Sequence, residues 1–134
     1  AIKAMKANPG GSIGSIINIA STTSIMPLPG DVGYSTSKSA VRILSKSVAA
    51  FCAEQGYNIR CNTIIPGATA TGLIADAEEF MPGIREDAAA MSPLNRMAEP
   101  AETAAAIAFL ASDECPFMTG SEMLVDGGML ARHP

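Results

Sequence analysis

Asn18-Ile19-Ala20-Ser21-Thr22-Thr23-Ser24, a loop carrying Pro27, Pro29, Gly30 and Gly33, and then Tyr34-Ser35-Thr36-Ser37-Lys38: this stretch decides how the rest of the chain is read. Tyr34 and Lys38 stand four apart, so on a helix opening at Tyr34 both side chains fall on one face, roughly 5–6 Å apart at Cβ. A free phenol, with a pKa near ~10, accepts protons poorly at neutral pH, and a cation beside it favours the phenolate. Ser21 ends an apolar run and can point its hydroxyl into the same crevice.

Working outward, the sequence from Gly33 to about Gln55 reads as a helix, with Gly56 as its stop. Val41, Leu44, Val48 and Phe51, three or four apart, predict one buried stripe. Small residues elsewhere on this helix (Ser35, Ala40, Ser47, Ala50 among them) allow close packing on more than one side. Ahead of Ser21, Ile13 and Ile16 to Ile19 form a β-branched run with no polar face, which predicts a central parallel strand covered by helices on both sides. The polar residues Ser21 to Ser24 mark that strand's carboxyl edge, where ligands bind in open α/β sheets. Residues 1–7 read as the last turns of a helix stopped by Asn8-Pro9-Gly10-Gly11, and the lack of an initiating Met or cap reads as a truncated end.

Tyr57 to Ile65 is a second strand, ended by Pro66-Gly67, where a missing donor and a glycine free to take positive φ turn the backbone. Residues 68–92 read as a mobile lid with short helices, and its acidic residues (Asp76, Glu78, Glu79, Glu86, Asp87) as a solvated face. Glu99-Pro100-Ala101-Glu102 starts another helix, with Pro and acids in its first turn, running to about Ser112. Glu122 to Asp126 is a third strand, closed by Gly127-Gly128. Alternating strands and helices predict an α/β fold with a parallel sheet and right-handed crossovers.

The 134 residues fit one domain, and 48% hydrophobic against 16% charged residues suffices for a core. A net charge of −4 with no basic cluster excludes a nucleic-acid partner. The three cysteines, odd in number and set in apolar segments, read as buried reduced thiols. No set of metal ligands stands out, and the single histidine, His133, reads as part of a frayed tail. No apolar run approaches the ~18 residues of a membrane helix and no secretory layout is present, so the expectation is a soluble cytoplasmic protein without membrane contact.

Tyr-x-x-x-Lys alone is a short pattern that chance supplies; the order of parts carries the weight. An apolar strand, Ser at its end, thirteen residues to Tyr34, then Lys38 and a small-residue helix resemble the catalytic region of the short-chain dehydrogenase/reductase family. Asn62-Thr63, the Pro66-Gly67 segment, Thr119-Gly120 and Asp126-Gly127-Gly128 continue the resemblance. It implies a Rossmann-like doubly wound parallel sheet, of which residues 1–134 supply the C-terminal catalytic half of one domain, with a lid over about 68–98. It further implies Tyr34 as general acid/base and a member of the cofactor site, Lys38 as the cation that tunes Tyr34 and binds the nicotinamide ribose, and Ser21 as holder of the substrate oxygen. Ser24 is the rival for that last role, and the family spacing favours Ser21. Pro66, Gly67, Thr69 and Thr71 would meet the nicotinamide carboxamide and phosphates. Thr69 departs from the family's branched aliphatic residue, but the family contact there is through backbone.

The implied reaction moves hydride between NAD or NADP and a small secondary alcohol or ketone. The implied assembly is a homo-oligomer, dimer or tetramer, packed through the 33–55 helix. Lid residues Leu73, Phe80, Met81 and Met91 suggest an apolar pocket. The family's Gly-rich cofactor turn finds no match, since Gly10-Gly11-Ser12-Ile13-Gly14 precedes a strand and the fingerprint must follow one. The family's catalytic Asn would fall ahead of Ala1. An alternative expectation is therefore a non-catalytic fragment acting only as an α/β oligomerisation unit.

Overall fold

Three apolar runs pair into one parallel sheet. The computed structural model describes residues 1–131, and the expected frayed tail at His133 lies outside them. Strands β1 (Ile13–Ile19), β2 (Asn58–Pro66) and β3 (Glu122–Val125) lie in the order β1-β2-β3. In register, Thr63 stands opposite Asn18 on one side and Glu122 on the other, all parallel. The remaining elements are α1 (Ile2–Met5), α2 (Val32–Glu54), α3 (Gly72–Glu78), α4 (Ile84–Ala90) and α5 (Pro100–Ala111). Short 3-10 turns occupy Thr22–Ser24 and Met129–Ala131.

Among the three described strands, β2 has a neighbour on both sides. Among the described residues β1 pairs only with β2, its ends Ile13 and Ile19 are exposed, and Cys61 to Ile65 of β2 are fully buried.

Strand periodicity assigns the two faces of the sheet. On β1, Ser15 Oγ donates to the Leu110 carbonyl of α5 at 2.9 Å, while Asn18 Nδ2 donates to Ser45 Oγ of α2 at 2.9 Å. Odd and even residues therefore meet different helices. The α5 face is apolar: Ile64, Leu110 and Cys115 form its buried centre, flanked by Ile17, Ile107, Met118, Met123 and Val125. The α2 face is polar, with Asn18 also reaching Cys61 Sγ at 3.7 Å and Arg42 paired with Glu122 at 2.8 Å.

That polarity corrects the expected stripe on α2. Leu44 and Phe51 are 56% and 46% exposed, whereas Ser35, Ser45, Ala49 and Cys52 are buried. A sheet face presenting Asn18, Cys61 and Glu122 matches small hydroxyl and thiol side chains, so the helix turns its larger apolar residues outward. Ile43, Leu44 and Phe51 thus form an exposed apolar face, with Ala40, Ser47 and Ala50 between them.

α5 opens as the Pro and acids predict. Pro100 takes the first position, and Glu102 reaches back to accept the Glu99 N–H at 2.8 Å. Arg96 grips the same carboxylate with two bonds of 2.6 and 2.7 Å. These bonds, those from Arg96 first and the Glu99 N–H second, hold the Glu102 carboxyl at about 2, below its ordinary 4.5. A carboxyl depressed on folding adds stability that is present above pH 4.5 and fades as pH falls toward 2. A side-chain NMR titration is expected to show this low midpoint in the native protein and its return toward 4.5 in Arg96→Met. A midpoint that stays put in the variant refutes the assignment.

The segment between β2 and α5 carries α3 and α4 as expected. Within it Glu78 is more than a solvated acid: its carboxylate accepts the Gly83 N–H at 2.9 Å and pairs with Arg85 at 3.8 Å, fastening one short helix to the next. All three cysteines are buried free thiols. No helix of the described residues is long and apolar enough to cross a membrane. Among the same residues no cluster of three His, Cys, Asp or Glu could hold a metal.

Candidate active site

The predicted residues reach the carboxyl edge of the sheet from three places: the turn after β1, the start of α2, and the segment that leaves β2. Ser21 lies two residues beyond the end of β1 and caps the Thr22–Ser24 turn. Its Oγ accepts from the Thr23 N–H at 3.3 Å and the Thr23 hydroxyl at 3.1 Å. Accepting both leaves the Ser21 proton free to donate to an incoming oxygen.

Tyr34 lies in the first turn of α2, 39% exposed, and no hydrogen bond ties its hydroxyl to another described residue. Lys38, one turn on, brings Nζ to 5.5 Å from the Tyr34 ring centroid. The same ammonium donates to the Ile19 carbonyl at 2.9 Å, so the end of β1 fixes where the cation sits. The four-residue spacing does put both groups on one face. A positive charge there balances the negative charge that a phenol gains on losing its proton.

Pro66 ends β2, and the next residues form a short bridge in which Thr69 pairs with Ala98. Thr69 Oγ1 donates back to the Gly67 carbonyl at 3.2 Å, and Thr71 precedes α3 as its cap residue. Gly67 is needed for a different reason from the one the sequence suggests. It is not among the positive-φ glycines; instead a Cβ there would come within 2.9 Å of the Asp126 Cα. The second and third strands thus converge at a point where only hydrogen fits.

One cavity of about 300 Å³ gathers these groups, bounded by Ser21, Tyr34, Lys38, Pro66, Thr69 and Thr71. Gly67 is absent from its lining. Ser24 is also off it: this hydroxyl donates to the Ser21 carbonyl at 2.5 Å, so it braces the turn instead of facing the cavity. The sequence reading missed the opposite wall, formed by Pro100, Thr103, Ala104 and Ile107 of α5. Their i, i+3, i+4, i+7 spacing was the available signal, because it puts them on one helical face. Ammonium, phenol and the hydroxyls of Ser21, Thr69 and Thr71, facing a wall in which Thr103 is the one polar side chain, suit a ligand with a sugar-like polar edge and an apolar body. The donor set therefore fits a nicotinamide ribose beside a small carbonyl or alcohol.

Comparison with known proteins agrees in extent and kind. Residues 1–130 match the family model described as Enoyl-(Acyl carrier protein) reductase. The chain is similar to an NADP-dependent (R)-specific alcohol dehydrogenase of Lentilactobacillus kefiri, 41% identical over 121 residues, 88% of this chain and 46% of the relative. It is similar also to a cyclopentanol dehydrogenase of Comamonas testosteroni, 38% identical over 120 residues, with 88% and 46% covered. Among solved structures, a short chain dehydrogenase family protein from Francisella tularensis subsp. tularensis SCHU S4 superposes with a TM-score of 0.82 at 32% identity, covering 88% of this chain and 51% of that one. The chain spans about half the length of the curated relatives it matches.

Proposed function

Because the chain belongs to the short-chain dehydrogenase/reductase family, we propose that it forms the catalytic half of a dinucleotide-binding domain and oxidises a small secondary alcohol, or reduces the matching ketone. The observation that carries this reading is the meeting of Ser21, Tyr34 and Lys38 with Pro66, Thr69 and Thr71 around one cavity. NAD or NADP, when bound, supplies or takes up the hydride. Ser21 donates its free proton to the substrate oxygen and holds it beside the phenol. Tyr34 gives its proton to that oxygen in reduction and takes it back in oxidation. Lys38, pinned by the Ile19 carbonyl, steadies the charge on Tyr34 during the transfer and offers its remaining N–H bonds to ribose hydroxyls. Thr69 and Thr71 hold the carboxamide and phosphate side. NADP is the cofactor favoured by the likeness to the (R)-specific alcohol dehydrogenase. Secondary alcohols are favoured by that relative and the cyclopentanol enzyme together.

A second copy of the chain is the partner this reading implies. The exposed Ile43, Leu44 and Phe51, separated by small residues, give α2 an apolar face suited to self-association. A reduced intracellular setting suits the three free thiols.

The test is cofactor absorbance in the full-length protein with NADPH or NADH and a panel of cyclic and acyclic ketones, with light scattering on the same sample. Turnover of a secondary alcohol or ketone by an oligomer is expected. No turnover across the panel despite tight cofactor binding overturns the substrate class, and a monomer overturns the assembly.

A further inference from the structure

The mechanism leaves unexplained what holds Ser21 in place. Its turn is anchored on one side by β1, but on the other it runs into residues 25–33, every one of them exposed. A hydroxyl that must meet a substrate oxygen to within tenths of an ångström needs a firmer seat than that. The structure supplies it from α2. Arg42 Nη1 donates to the Ser24 carbonyl at 2.7 Å, and Ser39 Oγ donates to the same oxygen at 3.1 Å. Ser24 in turn binds the Ser21 carbonyl twice, through its hydroxyl at 2.5 Å and its N–H at 2.9 Å. Arg42 is itself held at the other end: Nε and Nη2 grip the two oxygens of Glu122 at 3.0 and 2.8 Å, and Lys46 adds a third bond at 3.1 Å. Arg42 thereby spans from the first residue of β3 to the Ser21 turn, using every nitrogen of its guanidinium.

We propose that Arg42 is the positioning residue for the Ser21 hydroxyl, acting through the Ser24 carbonyl, with Glu122 orienting the guanidinium. The inference rests on Ser21 as the group that holds the substrate oxygen. Chemistry singles out arginine here. Its planar fork binds a carboxylate with two N–H groups and still directs a third at a carbonyl, whereas a lysine ammonium is a point charge that cannot span both at fixed angles. The partly buried Glu122 carboxyl is held below its ordinary range, chiefly by the Arg42 bonds, so it keeps its charge further into acid than a free carboxylate does. α2 keeps independent ties to the sheet, Asn18 to Ser45 and Lys38 to Ile19, so loosening Arg42 frees the turn without undocking Tyr34.

The test is a double-mutant cycle on the full-length enzyme with Arg42→Lys, Ser21→Ala and both together, reading kcat, the KM values and thermal stability. If Arg42 works through Ser21, Arg42→Lys lowers kcat about tenfold, leaves the cofactor KM unchanged, and costs nothing further in kcat once Ser21 is Ala. The melting temperature, in contrast, drops by the same amount in both backgrounds. Should Arg42→Lys fail to fold, Glu122→Gln, which keeps side-chain volume and removes the charge that orients the guanidinium, takes its place in the cycle. Losses that multiply in the double variant overturn the proposal and leave the Ser21 assignment standing. Full activity in Ser21→Ala overturns that assignment itself.

Discussion

Replacing Tyr34 by Phe is expected to lower turnover by about 10²–10⁴-fold, the usual weight of a positioned acid or base. The substitution removes one oxygen and keeps the ring. That ring lies at the helix opening, partly exposed, and the lost hydroxyl has no hydrogen-bond partner among the described residues, so the fold has little to lose. Stability should therefore stay within about 0.5 kcal/mol of the parent. Cofactor affinity should change little as well, because Lys38 keeps its bond to the Ile19 carbonyl whether or not the phenol is present. The combination matters: a collapse of kcat with an intact fold and intact cofactor binding isolates proton transfer as the missing step. Unchanged turnover would remove Tyr34 from the chemistry and with it the redox reading of the cavity.

Truncating Leu110 to Ala should have the largest effect on stability. Leu110 is fully buried, touching Ile64 and Cys115 at the centre of the apolar face. Removing its isobutyl group deletes transfer energy and leaves a void that a strand cannot relax to fill, at a cost of about 2–5 kcal/mol. The bond from the Ser15 hydroxyl to the Leu110 carbonyl survives, so the loss measured is one of packing. Urea denaturation of the full-length protein reads it as a lower midpoint with an unchanged slope. A loss below about 1 kcal/mol would mean that α5 docks by other means.

What the sequence disclosed follows from what each signal depends on. β2 and α5 were legible because a Pro-Gly stop and a Pro-acid start are local chemistry that tertiary context does not override. The pairing of Tyr34 with Lys38 was legible for a similar reason, since a four-residue spacing means the same thing on any helix. The buried face of α2 was not. Its apolar residues carry a helical period, and period alone says where a stripe lies but not whether it meets sheet or surface; that depended on Asn18, Cys61 and Glu122, which come from three separate strands. The reason for Gly67 was hidden likewise, because it depends on which chain segment lies alongside. Arg42 was within reach, standing four residues beyond Lys38 on the same face, yet nothing in the chain order reveals that Glu122, eighty residues later, would hold it.

The two sides of the sheet therefore differ in how much they can give. Hydrogen bonds hold only over a narrow range of distance and angle, while apolar contact tolerates sliding. Directed bonds hold Lys38 and the Ser21 turn, while the wall made by Pro100, Thr103, Ala104 and Ile107 rests on mainly apolar contact, with directed ties near the far end of α5 at Leu110 and Ser112. Ligands of differing bulk would thus be accommodated by shifts of that wall, while the proton donor keeps its aim.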